Sequence, residues 1–184
     1  MTDFQIFKEG FGDVSGTPLQ TNFYIRILEL ARKSKKSINL IQYVFGISEN
    51  REWQRSNKFL KALVEAKRRG VEIRVIFDRP RVHAPNTKTN IKCALRLKEF
   101  GIETRALAIH KTLHLKMVIF DREIFLAGSH NLTNSSLYSP FELSFEYSGK
   151  EIVGAAECYF LRLWNEGISE PFFESVEKMG KARI

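Results

Sequence analysis

The stretch TLHLKMVIFDREIFLAGSHN (112–131) contains one constellation of polar residues, HLK-x4-D-x6-GS-x-N, which occurs once in the chain. Its fixed positions are His114, Lys116, Asp121, Gly128, Ser129 and Asn131. At roughly one chance in twenty per residue, six fixed positions arise by accident about once in tens of millions of starting points. The constellation is therefore the most informative feature of the sequence.

Two runs within this stretch are predicted to be β-strands. The run TLHLKMVIF (112–120) is rich in β-branched and apolar residues, and the period of two in a strand puts His114 and Lys116 on one face. The shorter run IFLAGSHN (124–131) brings the serine and the asparagine of the constellation to one face in the same way. An imidazole, an ammonium, a hydroxyl and a carboxamide would then converge. This predicts a phosphate-binding site that contains a nucleophile.

These residues resemble the HKD motif of the phospholipase D superfamily, and the resemblance extends over roughly residues 18 to 166. Glu142, on the predicted strand FELSFEY, lies where that family has a carboxylate that orients the nucleophilic histidine. The segment GVEIRVIFD (70–78) is similar to the family's strand upstream of the motif, and YFLRLW (159–164) to its closing helix. The single motif is similar to the superfamily's short nucleases, which pair two subunits to build one active site.

The resemblance implies a division of labour among the site residues. His114 would attack phosphorus and form a phosphohistidine, while Lys116, Asn131 and Ser129 donate hydrogen bonds to the phosphate oxygens. Glu142 would accept from the other ring nitrogen and fix the tautomer. A second His114 across a twofold axis would supply the general acid, so a homodimer is expected. No cofactor is expected.

Two residues within the motif are predicted to point away from this group. Asp121 follows His114 by seven positions, an odd offset, so on a regular strand it faces the other way. We interpret Asp121 as a turn or ion-pair residue that shapes the site. His130 stands where many relatives have an apolar residue, and its side chain is expected to point away from those of Ser129 and Asn131.

Composition favours a polyanionic partner. The chain has 184 residues, 43% of them hydrophobic, with 29 Lys and Arg against 21 Asp and Glu, a formal net charge of +8. Such an excess favours nucleic acid first and anionic lipid headgroups second, although solubility charge explains it almost equally well. The sequence shows no signal peptide and no apolar run of membrane-spanning length, which predicts a cytoplasmic protein. No cluster has the spacing of metal ligands, so no metal is expected.

Alternating helix and strand patterns predict the fold class. We expect one α/β domain over residues 1–184, in which helices cover both faces of a mixed sheet. The first helix is predicted to begin at the capping box Thr17-Pro18-Leu19-Gln20, with proline at the first helical position. Strands are predicted at 37–45, 71–77, 102–108, 112–120, 123–128 and 141–147.

Two further segments bear on substrate binding. Residues 79–92 form a predicted loop without acidic residues, which we interpret as a phosphate-gripping loop; the alternative is a solvated basic loop. Its basic residues are Arg79, Arg81, Lys88 and Lys92. Trp53 lies between two arginines and has the chemistry to stack on a base or lipid, but a tryptophan packed over the core is more common at a helix start.

The favoured function is that of a metal-independent phosphodiesterase, an endonuclease that cuts DNA or RNA. A phospholipase D or phosphatidyl transferase would use the same catalytic residues and is the first alternative. A nucleic-acid-binding module that kept the fold and lost activity is the second. The sequence leaves open DNA against RNA and single against double strands.

Overall fold

The computed structural model describes residues 16–78, 85–107 and 112–168, which contain eight strands and five helices. The strands are β1 (Gly16–Leu19), β2 (Ser37–Gln42), β3 (Glu72–Phe77), β4 (Glu103–Leu107), β5 (Lys116–Phe120), β6 (Ile124–Gly128), β7 (Ser144–Ser148) and β8 (Gly167–Ile168). The helices are α1 (Phe23–Lys33), α2 (Arg55–Arg68), α3 (Pro85–Glu99), α4 (Asn134–Tyr138) and α5 (Lys150–Glu166).

All eight strands belong to one mixed sheet in the order β1-β7-β6-β5-β2-β3-β4-β8. The pairs β2–β3 and β3–β4 are parallel, and the remaining pairs are antiparallel. Every residue of β2 is buried, as expected for a central strand that is covered on both faces. The predicted mixed sheet is confirmed.

Two hydrophobic layers cover the two faces of this sheet. On one face, α1, α2 and α3 pack over β2, β3 and β5 through fully buried side chains such as Ile27, Phe59 and Leu97. On the other face, α5 packs through Phe160 and Trp164 against residues that include Ile41. The alternation along β2 thus sends successive side chains to opposite layers. Helices lie on both faces, as the sequence predicts.

The strand directions bring four strand ends together at one end of the sheet, which we call the site end. Gln42, the last residue of β2, pairs with Lys116, the first residue of β5. Gly128, the last residue of β6, pairs with Ser144, the first residue of β7. The segments that follow β2 and β6 and precede β5 and β7 therefore meet at the site end.

The capping-box prediction is wrong. Thr17 and Pro18 lie in β1, which pairs with β7, and α1 begins only at Phe23. A proline is tolerated in β1 because β1 is the outermost strand, where one row of backbone groups has no partner strand. Pairing with β7 therefore overrides a local helix-start signal. The predicted apolar stripe of α1 is confirmed, since Phe23, Ile27 and Ala31 are buried.

The strands that carry the motif are shorter than predicted. His114 precedes β5, Ser129 and Asn131 follow β6, and Glu142 precedes β7. The reason is that ladder pairing stops where the neighbouring strand ends, so a strand-like sequence beyond that point leaves the sheet. Residues 79–92 are not one loop either, because α3 begins at Pro85, a proline at the first helical position.

Within the described ranges, none of the helices has the length and apolar character needed to cross a membrane.

Candidate active site

His114 and Lys116 form the centre of the site. Lys116 is buried, and its Nζ donates to the carbonyl oxygen of His114 over 2.8 Å and lies 3.1 Å from His114 Nε2. A lysine ammonium has no lone pair, so it can only donate to Nε2 and thereby favours the tautomer in which Nε2 is unprotonated. The His114 side chain is exposed. The Nε2 lone pair accepts from Lys116 in this arrangement, and it becomes available as a nucleophile once that N–H turns to another acceptor.

Tyr43, which directly follows β2, packs against both of these groups. Its ring centroid lies 4.6 Å from that of His114 at an interplanar angle of 60°, and 5.0 Å from Lys116 Nζ. The aromatic face thus contributes a cation–π contact to a lysine that has little water around it. The sequence gives no motif for this role. Only its position after a buried central strand marks Tyr43.

Buried polar side chains fix the backbone around His114. Asp78, directly after β3, accepts from the Leu113 N–H over 2.7 Å, one residue before the histidine. Asn90 on α3 accepts from the Phe45 N–H over 3.0 Å and donates to the Tyr43 carbonyl over 2.9 Å. These bonds hold the segments at the site end. Asp78 had a signal in the sequence, since an acid directly after a buried strand lies where α/β sheets place functional groups.

Ser129 is held by the backbone of the opposite segment. The Leu143 N–H donates to Ser129 Oγ over 2.9 Å, and the Ser129 N–H donates to the Leu143 carbonyl over 2.9 Å. This approach requires glycine at position 128, because a Cβ there would lie 2.4 Å from both the Leu143 carbonyl oxygen and Ser144 Cα. The glycine of the motif's Gly-Ser pair thus has a steric cause in this fold.

Asn131 and Glu142 are joined by Ser136, a residue that no pattern in the sequence indicates. Ser136 Oγ accepts from the Asn131 N–H over 2.9 Å and donates to Glu142 Oε1 over 2.8 Å. The Asn131 side-chain oxygen is buried and has no hydrogen-bond partner. The site therefore contains one amide whose hydrogen bonding is incomplete in the isolated chain.

Glu142 interacts electrostatically with Lys116. No hydrogen bond joins Glu142 to His114 in the described part of the chain, so the predicted orientation of the ring by Glu142 stays a prediction. Burial raises the pKa of Glu142, but hydrogen bonds from Ser129 and Ser136 and the charges of His130 and Lys116 outweigh it and bring the pKa below its ordinary value. Burial lowers the pKa of Lys116, and attraction to Glu142 opposes this.

Asp121 lies at the opposite end of β5 from Lys116 and does not join the other motif residues. Its carboxylate accepts from the backbone N–H groups of Lys35, Lys36 and Ser37 at 2.8 to 3.1 Å. Its φ of 54° is left-handed, a conformation that aspartate tolerates better than most residues. The structure thus shows a turn residue that anchors the start of β2 to the end of β5.

His130 points away from Ser129 and Asn131, as predicted. It is buried, stacks on Phe23 with ring centroids 4.2 Å apart, and its Nδ1 lies 2.8 Å from Ser144 Oγ. Burial lowers the pKa of His130, whereas Glu142 and a hydrogen bond to the backbone of Gln20 raise it, and burial outweighs them.

The basic residues predicted to bind substrate divide into two groups. Lys88 and Lys92 are exposed one turn apart on α3, which begins close to the site end. Arg79 and Arg81 lie outside the described residues.

Trp53 is 59% exposed and is not packed over the core, contrary to the more common arrangement. Across residues 16–78, 85–107 and 112–168, no three His, Cys, Asp or Glu side chains are grouped to hold a metal ion.

Residues 27–164, which carry all of the described site residues, match the family described as the phospholipase D-like domain of cardiolipin synthase. The chain belongs to the phospholipase D superfamily. A curated relative, phospholipase D Z of Dictyostelium discoideum, is 27% identical over 148 residues, which cover 77% of this chain and 35% of that protein. The chain thus spans about a third of that relative's length.

Two solved structures share the fold. The crystal structure of Nuc from Salmonella typhimurium, a phospholipase D family member, superposes with a TM-score of 0.69 at 20% identity and covers 86% of this chain and 99% of Nuc. NucT from Helicobacter pylori gives a TM-score of 0.70 at 13% identity and covers 86% of this chain and all of NucT, 100%. At these identities the likeness concerns the phospholipase D-like fold.

The buried histidine at position 130 predicts a pH-dependent stability. Because its pKa is lower in the folded chain than in the unfolded chain, the unfolded state binds more protons, and stability falls as the pH drops below about 6.5. His130→Phe, which keeps a ring against Phe23, should reduce the difference between urea midpoints measured at about pH 7.5 and pH 5.5. An unchanged difference in the variant would assign the pH dependence to other groups.

Proposed function

We propose that the chain is a metal-independent phosphodiesterase that cleaves DNA or RNA through a phosphohistidine at a homodimeric active site. The observation that carries this proposal is the contact between Lys116 Nζ and His114 Nε2 at 3.1 Å. It pairs an exposed nucleophile with a buried cation on which a phosphate oxygen can be neutralised.

The proposed reaction has two displacements. In the first, the Lys116 N–H turns from His114 Nε2 to a phosphate oxygen, and the freed Nε2 lone pair forms a bond to phosphorus. The bond from phosphorus to the leaving oxygen breaks as a general acid protonates that oxygen. In the second, water attacks phosphorus, gives its proton to the same group, and releases His114. Lys116 and Asn131 donate to the non-bridging oxygens throughout, while the Ser129 hydroxyl adds a hydrogen bond by turning from Glu142 to the phosphate. The burial of Lys116 makes its charge more effective because little water competes for it.

Glu142 is proposed to support this chemistry through the charges around it. Its carboxylate attracts the ammonium of Lys116, which opposes the lowering of the lysine pKa by burial. The same negative charge would stabilise the imidazolium that forms when the ring carries a phosphoryl group. Ser136 holds the carboxylate in place. The orientation of the ring by Glu142 remains a second part of the proposal.

A nucleic acid substrate is favoured by charge. The net charge of +8 and the exposed pair Lys88 and Lys92 suit a polyanion, and we propose that Arg79 and Arg81 extend this surface. A phospholipase D or phosphatidyl transferase activity is the alternative, and the name of the curated relative favours it. An inactive binding module is disfavoured, because the described chain brings His114, Lys116, Ser129 and Asn131 to one end of the sheet.

The proposed homodimer would supply the general acid that protonates the leaving oxygen. One motif histidine must be the nucleophile, so the general acid has to come from elsewhere, and a second copy related by a twofold axis supplies an identical imidazole. His114 is exposed and therefore accessible to such a partner. We infer a single domain, with its core between about residues 18 and 166, that pairs with a second copy at the site end.

Removal of the nucleophile tests the proposed reaction. In excess EDTA, the wild-type protein should hydrolyse a labelled oligonucleotide, and His114→Ala should lose at least about a thousandfold in kcat. Lys116→Ala should lose a comparable amount, whereas Asp121→Asn, at the far end of β5, should lose far less. A parallel assay of hydrolysis with phospholipid vesicles distinguishes a nuclease from a phospholipase D. Wild-type turnover that disappears in chelator, or near-normal turnover in the His114 variant, contradicts the mechanism.

Subunit mixing tests the shared active site. When wild-type protein exchanges with an excess of His114→Ala subunits, activity per wild-type subunit should collapse, because each mixed dimer lacks one of the two imidazoles. Exchange is followed by energy transfer between labelled subunits, and excess Asp121→Asn subunits serve as the control. Activity that stays proportional to wild-type content despite exchange would show that each chain works alone.

A further inference from the structure

Three exposed aromatic side chains lie at the site end: Trp53, Tyr138 and Phe141, which we call the aromatic rim. They are 59%, 52% and 94% exposed, respectively. The described residues hold six large apolar side chains that are exposed, and the other three are Ile25, Leu143 and Tyr159. Exposed apolar groups concentrated on one surface mark binding sites more often than isolated ones do.

Two members of the rim are close in sequence to residues of the candidate active site. Phe141 immediately precedes Glu142, and Tyr138 lies two residues beyond Ser136, whose hydroxyl joins Asn131 to Glu142. Leu143 lies two residues after Phe141, and its backbone N–H donates to Ser129 Oγ. Both rings therefore belong to the segment between Asn131 and β7, which also carries Ser136 and Glu142.

The loop that carries Trp53 is anchored at both ends to the segment that follows β6. At the start of the loop, Phe45 bridges to Leu132, the residue after Asn131. At its end, the Arg55 N–H donates to Asn134 Oδ1 over 3.0 Å. Trp53 is two residues from that second contact, so it lies beside the chain segment that leads from Asn131 to Tyr138.

Tyr138 is held with one face against a cation. The Arg55 guanidinium lies 3.7 Å from the centroid of the Tyr138 ring and 4.8 Å from that of Tyr24, and Arg55 also donates to the Leu137 carbonyl. A ring backed in this way by a guanidinium is fixed in orientation. Half of its surface remains exposed for a second planar group.

We propose that the aromatic rim stacks on unpaired nucleobases on either side of the scissile phosphate, so that the substrate is a single strand. Each base offers a flat face that suits an exposed ring, whereas bases inside a duplex are already stacked on one another. The positive charge behind Tyr138 and the overall charge of +8 favour a polyanionic strand. The inference rests on the proposed function, since it supplies the bases beside the phosphate that the site would cleave.

Binding to matched strands tests the rim. In the catalytically blocked His114→Asn protein, fluorescence anisotropy compares a single strand of about ten nucleotides, an abasic strand with the same number of phosphates, and a duplex. We expect the base-bearing strand to bind at least about tenfold tighter than the abasic strand. The variant with Trp53→Ala, Tyr138→Ala and Phe141→Ala should lose this preference, and Trp53→Phe with Tyr138→Phe should retain most of it.

Tyr159→Ala provides the matched control. Tyr159 is an exposed aromatic residue on α5, which covers the opposite face of the sheet from α1, α2 and α3, so its removal should leave the preference unchanged. If the triple variant does not fold, Phe141→Ser carries the test alone, because a side chain that is 94% exposed contributes little to the core.

Four outcomes overturn the proposal. The first is that the triple variant still prefers the base-bearing strand, and the second is that the protein binds the single strand and the duplex with equal affinity. The third is that the triple variant no longer dimerises in sedimentation velocity. The fourth is that the triple variant loses only its binding to phosphatidylglycerol vesicles. The third would make the rim an interface between copies, and the fourth a lipid contact. Hydrolysis of methyl p-nitrophenyl phosphate by the wild-type protein tests the proposed function separately, since this small diester carries no base.

Discussion

The pairing of β5 with β2 and β6 is the constraint on which the rest of the site depends. Because both pairings are antiparallel, β5 begins where β2 and β6 end, and the lysine that opens β5 lies beside the groups that follow those strands. The pairing of Gly128 with Ser144 adds the start of β7 to the same end. Substituting a larger residue at position 128 would separate these segments, since no space exists there for a Cβ.

A second constraint is electrostatic. The site holds a buried ammonium and a partly buried carboxylate, and burial on its own would drive both groups toward their neutral forms. Mutual attraction and the hydroxyls of Ser129 and Ser136 keep the carboxylate charged and support the ammonium. The buried charge of Lys116 is a feature that a bound phosphate would complete. We regard the site as organised for an anion before the anion arrives.

Much of this arrangement could be predicted from the sequence, and the failures have identifiable causes. The motif spacing predicts the convergence of His114, Lys116, Ser129 and Asn131, although the strands end sooner than a period of two suggests, because strand length is set by the neighbouring strand. The Thr17–Gln20 capping signal fails for a related reason, since pairing with β7 is a long-range contact that local patterns do not contain. Ser136 and Asn90 act through hydrogen bonds between distant segments, so no local pattern identifies them. Asp78 is marked only by its position directly after a buried strand. The exposure of Trp53 likewise depends on where its loop is anchored.

The central claim is that His114 forms a covalent bond to phosphorus, and the stereochemical course of the reaction tests it most directly. The measurement uses a dinucleotide whose scissile phosphorothioate has one configuration, cleaved in oxygen-18 water, with the configuration of the product determined by phosphorus NMR. Each in-line displacement inverts the configuration, so two displacements through a phosphohistidine predict net retention. Net inversion would show a single direct attack by water and would contradict the account.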